Sequence, residues 1–177
     1  MIRKVLGKLR GEPQLTSLKK QGLNVGKNFS YGRYCFFDPS HCFLISIGND
    51  VTFSTRVHIL AHDASTQKHL GYTKIGLVNI GNKVFIGANT TILPGVSIGD
   101  NSIIGAGSVV SKNIEPNSVY AGVPAKYICS LDEYLKKIRN IDKNCIFDDN
   151  YTIEKNMTQH MKNEMKQKLK NGMGLLK

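Results

Sequence analysis

The chain contains no tryptophan, no C-x-x-C pair, and no apolar run near the ~20 residues that span a bilayer. Each absence removes a class of protein. The four cysteines, Cys35, Cys42, Cys129 and Cys145, have neither the spacing of a metal site nor that of a secreted disulfide framework. They read as reduced thiols of a cytoplasmic protein. The amino terminus, MIRKVLGKLR, is basic but lacks the apolar region of a signal peptide. Acidic residues are also scarce, 13 against 24 Lys and Arg, so the formal net charge is +11. That charge is unevenly spread: residues 1–34 carry +7, residues 35–130 carry +1 and residues 131–177 carry +3. A nearly neutral central region argues against a nucleic-acid-binding face there. What remains is a chain of 177 residues, 41% hydrophobic, which is enough for one core and an appendage.

A strict repeat occupies the stretch from Ile80 to Val110. Ile80, Ile86, Ile92, Ile98, Ile104 and Val110 recur every six residues, and Gly81, Gly87, Gly99 and Gly105 follow four of them. Four residues after each stands a small or β-branched residue: Val84, Thr90, Val96, Ser102, Ser108 and Ile114. A helix repeats its apolar positions every three or four residues and a strand every two, so a six fits neither. It fits a parallel β-helix in which each hexad is a short flat face and a turn. Three hexads make one coil of a three-sided prism. Residues 18 apart then stack, Ile80 on Ile98, Ile86 on Ile104 and Ile92 on Val110.

The stretch IGANTTILPGVSIGDNSIIGAGSVVSKNIEPNSVYAGVPAKYI resembles the last coils of the hexapeptide-repeat acyltransferases, in particular the maltose, galactoside and serine O-acetyltransferases. The resemblance covers about residues 23 to 130 and implies a mainly β fold, a left-handed parallel β-helix. The left hand comes from the resemblance alone, because the general rule for parallel crossovers favours the right.

Three segments follow: a basic amino-terminal segment (1–22), the prism (23–130) and a helical tail (131–177). Ile2, Val5, Leu6 and Leu9 lie at helical spacing among basic residues, as in a short helix that caps the open first coil. A second reading is peripheral contact with an anionic membrane. Val25, Tyr31, Phe37 and Phe43 keep the six-residue frame, which slips by two before Ile47 and resumes through Phe53 and Ile59. From Ile59 to Ile80 is 21 residues, three more than a coil, and Ser65–Leu77 reads as a polar, irregular loop leaving the prism after His62. In the tail, Leu131–Asn140 is predicted helical, with Leu131, Tyr134, Leu135 and Ile138 on one face. Residues 153–170 place Met157, Met161, Met165 and Leu169 four apart, as in a second helix with a packing face.

Acyl transfer from a thioester to a hydroxyl needs a base, donors for the oxyanion and a groove for the coenzyme. Histidine suits the base. Of the five histidines, His62 in ILAHDAS stands at the end of a coil face, just before the loop, and its place matches the family's catalytic histidine. His41, His58, His69 and His160 have weaker claims. An orienting acid is expected on its other ring nitrogen. Asp63 is adjacent and Asp38 lies 24 residues earlier, and either could instead cap a turn.

The resemblance implies a pantetheine groove between neighbouring prisms, hence a homotrimer, with backbone groups at Ala88 and Ala106 meeting the coenzyme. It also places the pair Ser111–Lys112 along the coenzyme and Lys126 near its phosphates. One further basic position of some relatives falls on Cys129. By themselves, Ala88 and Ala106 are also what a tight corner requires, and Lys112 and Lys126 what a solvated surface carries.

The reading reached is an O-acetyltransferase that takes acetyl-CoA and a sugar or oligosaccharide acceptor. HILAHDAST looks most like relatives in capsule or O-antigen synthesis. No metal is expected. Two alternatives stand beside it. One is a lyase like the γ-class carbonic anhydrases, which needs three histidines around zinc. The other is a non-catalytic assembly module.

Overall fold

The computed structural model describes residues 15–177, so the expected basic helix at residues 2–9 lies outside the described residues. The chain forms two compact units, one ending at Leu131 and the other running from Asp132 to Lys177.

In the first unit, helix α1 (Leu15–Lys20) leads into five coils and buries Leu18. The first coil is β1 (Asn24–Val25), β2 (Ser30–Tyr31) and β3 (Phe36–Phe37). The second is β4 (Ile45–Ile47), β5 (Thr52–Phe53) and β6 (His58–Ile59). An excursion then carries β7 (His62–Asp63), helix α2 (Gln67–Leu70) and β8 (Lys74–Ile75). The third coil is β9 (Val78–Ile80), β10 (Phe85–Ile86) and β11 (Thr91–Ile92), and the fourth β12 (Ser97–Ile98), β13 (Ile103–Ile104) and β14 (Val109–Val110). A last partial coil bridges Ile98 to Ile114, then forms β15 (Ser118–Ala121) before the chain reverses into β16 (Lys126–Ser130). Equivalent strands stack into three parallel sheets, ordered β1-β4-β9-β12, β2-β5-β10-β13-β15-β16 and β3-β6-β11-β14. These are the three faces of a prism.

The repeat predicted for the regular coils is the observed register. Ile98 pairs with Ile80, Ile104 with Ile86 and Val110 with Ile92, and all six are at most 4% exposed. The second series is buried too, from Val84 and Thr90 to Ser108 and Ile114. Each coil therefore contributes two layers to one narrow core. Gly87 shows why a glycine follows the inward residue. A Cβ there would stand 2.4 Å from the Ala106 nitrogen of the next coil, so close stacking of the corners excludes a side chain.

The early coils depart from the six-residue frame in ways spacing did not reveal. Equivalent positions are 22 residues apart between the first and second coils, 33 between the second and third, and 18 between the third and fourth. Phe43 is not the next inward residue. It lies in a 3-10 turn, Cys42–Leu44, is 59% exposed, and Ile45 and Ile47 take the face instead. The distance from Ile59 to Ile80 also misleads, because the two occupy different faces: Ile59 pairs with Ile92, and Ile80 with Ile47.

Helix α3 (Leu131–Arg139) begins on the last residue of the first unit and carries Leu131, Tyr134, Leu135 and Ile138 as half-buried positions. β17 (Ile146–Phe147) pairs in parallel with β18 (Leu175–Leu176), burying Phe147 against Tyr151. The second predicted helix is shorter than expected: α4 spans Gln159–Lys168. Thr158 caps its first turn by accepting from the Met161 N–H, which puts Met157 outside it. Tyr151 donates to Glu164, which also pairs with Lys168 at 2.7 Å.

Candidate active site

The corner that follows the third face gathers the chemistry. The first coil leaves β3 at Asp38, and Pro39 keeps the residue before it out of helical conformation. The second coil leaves β6 and reaches His62 at the same corner. Asp38 is fully buried, and its carboxylate accepts from five donors. Its Oδ1 accepts from the Ser40 and His41 N–H groups at 3.1 and 3.3 Å. Its Oδ2 accepts from the Ala61 and His62 N–H groups, both at 3.0 Å, and from His62 Nδ1. Burial opposes ionisation of this acid. The hydrogen bonds from His62 and Ala61, the nearby imidazole and the bond from Ser40 outweigh it, and the carboxyl stays below its ordinary value of 3.8.

An ionised carboxylate only accepts, so Nδ1 of His62 carries the proton and Nε2 is left with a lone pair. The His62 side chain is 35% exposed, so a hydroxyl can reach it from solvent. The ring is held from below by a buried acid that four backbone N–H groups fix in place. That is the geometry of an oriented general base.

Of the two candidate acids, Asp38 is therefore the one against the imidazole. Asp63 is not. It follows His62 on β7, where neighbours point to opposite sides. It pairs with Lys74 Nζ at 2.6 Å and caps the 3-10 turn Ala64–Thr66 by accepting from Ser65 N–H at 2.8 Å. The bond to Lys74, with those to Ser65, pulls its pKa to about 2.

The segment after His62 is more ordered than a polar, irregular loop. β7 and β8 pair antiparallel, His62 opposite Ile75 and Asp63 opposite Lys74. Thr66 Oγ1 donates to the Tyr72 carbonyl at 2.7 Å, and Gly76 N–H closes the excursion on the Ala61 carbonyl at 3.0 Å. Its outer surface is apolar: Leu70, Tyr72, Ile75 and Leu77 are 59–76% exposed.

Sequence reasoning passed over His41. Its ring centroid lies 5.0 Å from that of His62. Among the described residues, its Nδ1 is the buried side-chain nitrogen or oxygen without a hydrogen-bond partner. The signal was present in FDPSH, three residues after Asp38. His58 faces outward on β6 beside Phe36, and His69 and His160 are exposed. No trio of histidines converges among the described residues, where the one candidate ion-binding group is Asp38, His41 and His62.

Residues 78–112 match the family model for the bacterial transferase hexapeptide (six repeats). Over 151 residues the chain is 35% identical to the galactoside O-acetyltransferase of Escherichia coli (strain K12), which covers 81% of this chain and 67% of that protein. The chain belongs to the hexapeptide-repeat acetyltransferases. Its prism is left-handed and shares its fold with solved members. A maltose O-acetyltransferase from Clostridium difficile 630 matches with a TM-score of 0.54 at 39% identity, covering 60% of this chain and 57% of the other. A galactoside acetyltransferase in complex with coenzyme A matches with a TM-score of 0.52 at 29% identity, covering 68% and 71%. This hexapeptide-repeat acetyltransferase thus spans little more than half to about two thirds of the length of such relatives.

The residues assigned to the coenzyme by resemblance do not form one cluster with His62 in a single chain. Ala88 and Ala106 stack at the corner between the second and third faces, where the Ala88 carbonyl accepts from Gly107 N–H at 2.7 Å. His62 stands at the opposite end of the third face. Ser111 and Lys112 are exposed after β14, on the His62 side. Lys126 is exposed at the start of β16, and Cys129 lies opposite Val119 in the same strand pair.

Proposed function

We propose that this acetyltransferase moves acetyl from acetyl-CoA to a sugar hydroxyl, with His62 as the general base and Asp38 as its orienter. The observation that carries the reading is the bond between His62 Nδ1 and the buried Asp38, which leaves the lone pair on Nε2 of a side chain that is 35% exposed. In the reaction, Nε2 takes the acceptor hydroxyl proton as its oxygen attacks the thioester carbonyl. The tetrahedral intermediate collapses, the carbon–sulfur bond breaks, and the imidazolium returns the proton to the thiolate. Asp38 holds one tautomer throughout and stabilises the imidazolium.

The names of the relatives support both substrates, since all three are galactoside or maltose acetyltransferases and one of them holds coenzyme A. The coenzyme lies on the backbone at Ala88 and Ala106 and on Ser111, Lys112 and Lys126. Because these stand on two corners of the prism, the site is completed between neighbours in a homotrimer, a closed ring of ordinary symmetry. The exposed Leu70, Tyr72, Ile75 and Leu77 of the excursion suit burial against a neighbour. The acceptor is a precursor of a surface polysaccharide in the cytoplasm, a reading that rests on the stretch HILAHDAST and its loop.

Thiol release from acetyl-CoA, measured over galactosides, maltose, nucleotide sugars and capsule oligosaccharides, tests the activity. Acceptor-dependent release with at least one of them is expected, and hydrolysis unaffected by every acceptor overturns the reading. A monomer by light scattering at assay concentration, with full activity, overturns the shared site.

A further inference from the structure

The transfer chemistry accounts for Asp38 and His62 but leaves His41 without a task. Its Nδ1 is buried and has no partner among the described residues, a costly state for a polar atom that calls for a ligand. Its ring packs 5.0 Å from His62 and 5.9 Å from Phe43. One ligand atom from each of Asp38, His41 and His62 lies within 4.8 Å of the other two. We propose that these three side chains bind a divalent transition-metal ion of the zinc type, and that the ion, once bound, occupies the His62 imidazole and switches off acetyl transfer.

The ligand set decides the class of ion. Two imidazoles and one carboxylate suit zinc, cobalt or nickel, whereas magnesium and calcium seek oxygen alone. Asp38 is a prepared ligand, because backbone N–H groups of Ser40, His41, Ala61 and His62 fix it. Metal–ligand bonds of about 2.0–2.2 Å require His41 to close on the other two, while the Asp38 Oδ2–His62 Nδ1 contact opens to admit the ion. His41 can supply that movement, since its Nδ1 has no hydrogen bond among the described residues to hold it. The 35% exposure of His62 leaves solvent access for an ion and for the water that completes a four-coordinate site. The same exposure is what the base needs to meet an acceptor. An ion shared with Asp38 takes His62 Nδ1, the nitrogen on that carboxylate, so the ring proton moves to Nε2 and no lone pair remains for the acceptor hydroxyl. Binding of the ion stands on the geometry alone. The loss of activity rests on the proposed role of His62.

Equilibrium dialysis of the full chain against cobalt(II) and zinc(II), with the visible absorption of cobalt(II) as the coordination signature, tests the site. One ion per chain at micromolar concentration is expected, unaffected by excess magnesium. His41→Gln should weaken it by about tenfold or more, the low end for loss of a ligand-shell residue. His41→Phe, which keeps the volume without a ligand, should do the same if the Gln variant folds poorly. The double variant His58→Gln, His69→Gln should bind as the wild type does. No stoichiometric ion, or an ion held equally well by both His41 variants, overturns the proposal. In the thiol-release assay zinc should inhibit the wild type at concentrations at least tenfold lower than it inhibits His41→Gln. An ion that binds without inhibiting overturns the switch. A chain that takes the ion yet transfers no acetyl group supports the site and counts against the proposed function instead.

Discussion

The third and fourth coils repeat every 18 residues, while the first two are offset by 22 and the second and third by 33. In the regular coils each inward isoleucine rests on its equivalent, and the corners are short turns such as 87–89 and 105–107, so the prism there is a scaffold. The irregular coils carry the extra residues as turns, all at the corner after the third face. Those turns hold Asp38, His41 and His62. Rigidity comes from the strict repeat and chemistry from departures from it, a division familiar from loops on rigid scaffolds.

The largest effect should come from breaking the regular half. Ile98 is 2% exposed between Ile80 and Ile114. Ile98→Asp should place an unpaired charge in the narrow core and cost well over about 3 kcal/mol, preventing recovery of soluble protein. Phe43→Asp, in the irregular half and at a position that hexad spacing makes inward, should leave thermal stability within about 0.5 kcal/mol. Equal losses in both would erase the contrast between the halves.

Next comes the chemistry of the irregular half. His62→Ala should lower turnover on the order of a hundredfold or more while circular dichroism and thermal midpoint stay near those of the wild type. A folded variant with near-normal turnover would remove His62 from the mechanism.

Asp38→Asn sharpens the comparison, because here one corner residue serves structure and chemistry together. Losing a buried anion bonded to several donors should cost about 2 kcal/mol near neutral pH. The folded pKa of Asp38 lies below 3.8, so its stabilisation is complete above pH 3.8 and fades as pH falls through the folded value. The gap between wild type and variant in chemical denaturation should close as pH is lowered past 3.8. A gap that does not narrow at all as pH falls below 3.8 would mean that the carboxylate's charge is not what stabilises the corner.

Lys126→Ala returns to the regular end of the prism. If its ammonium meets a phosphate of the coenzyme, the KM for acetyl-CoA should rise by an amount worth roughly 0.5–2 kcal/mol, with kcat little changed. The effect should shrink as salt is added. An unchanged KM at low salt places Lys126 in solvent.

The smallest effect is expected at Asp63, a half-buried acid of the excursion. Its pKa of about 2 reflects Lys74 first, so the pair stabilises the hairpin above pH 3.8, and that contribution is lost as pH falls through 2. Asp63→Asn should increase proteolysis of residues 64–73 slightly at neutral pH and low salt, and not at pH 2 with an acid protease. Loss of acetyl transfer comparable to that in His62→Ala would mean that Asp63 touches the chemistry after all.

The hexad frame from Ile80 to Val110 was legible to the residue because stacking demands identical spacing in each coil. The excursions were not, since a turn between faces has no required length. Phe43 shows this: it continues the six-residue count, yet four extra residues at the corner turn it outward. The same uncertainty left Asp38 and Asp63 level as partners of His62. Choosing between them required knowing that one coil at that point takes 22 residues, which brings position 38 beneath position 60, two residues before His62. His41 was hidden for that reason as well. In the tail, methionines four apart suggested one long helix, but periodicity does not reveal that Thr158 starts a new one.

The reversal from β15 into β16 has a consequence for how this protein behaves in a crowd. Parallel coils are templates: the last one offers a row of amides and carbonyls to any strand that runs the same way, the arrangement by which fibrils grow. Here β16 lies antiparallel on β15, with Lys126 opposite Ala121. The neighbouring edge is closed as well, since Val109 N–H donates to the Gly122 carbonyl and its carbonyl accepts from Ala125 N–H. At this end a further parallel coil from another molecule does not find the strand direction it would need, so the last turn sets a stop to stacking there.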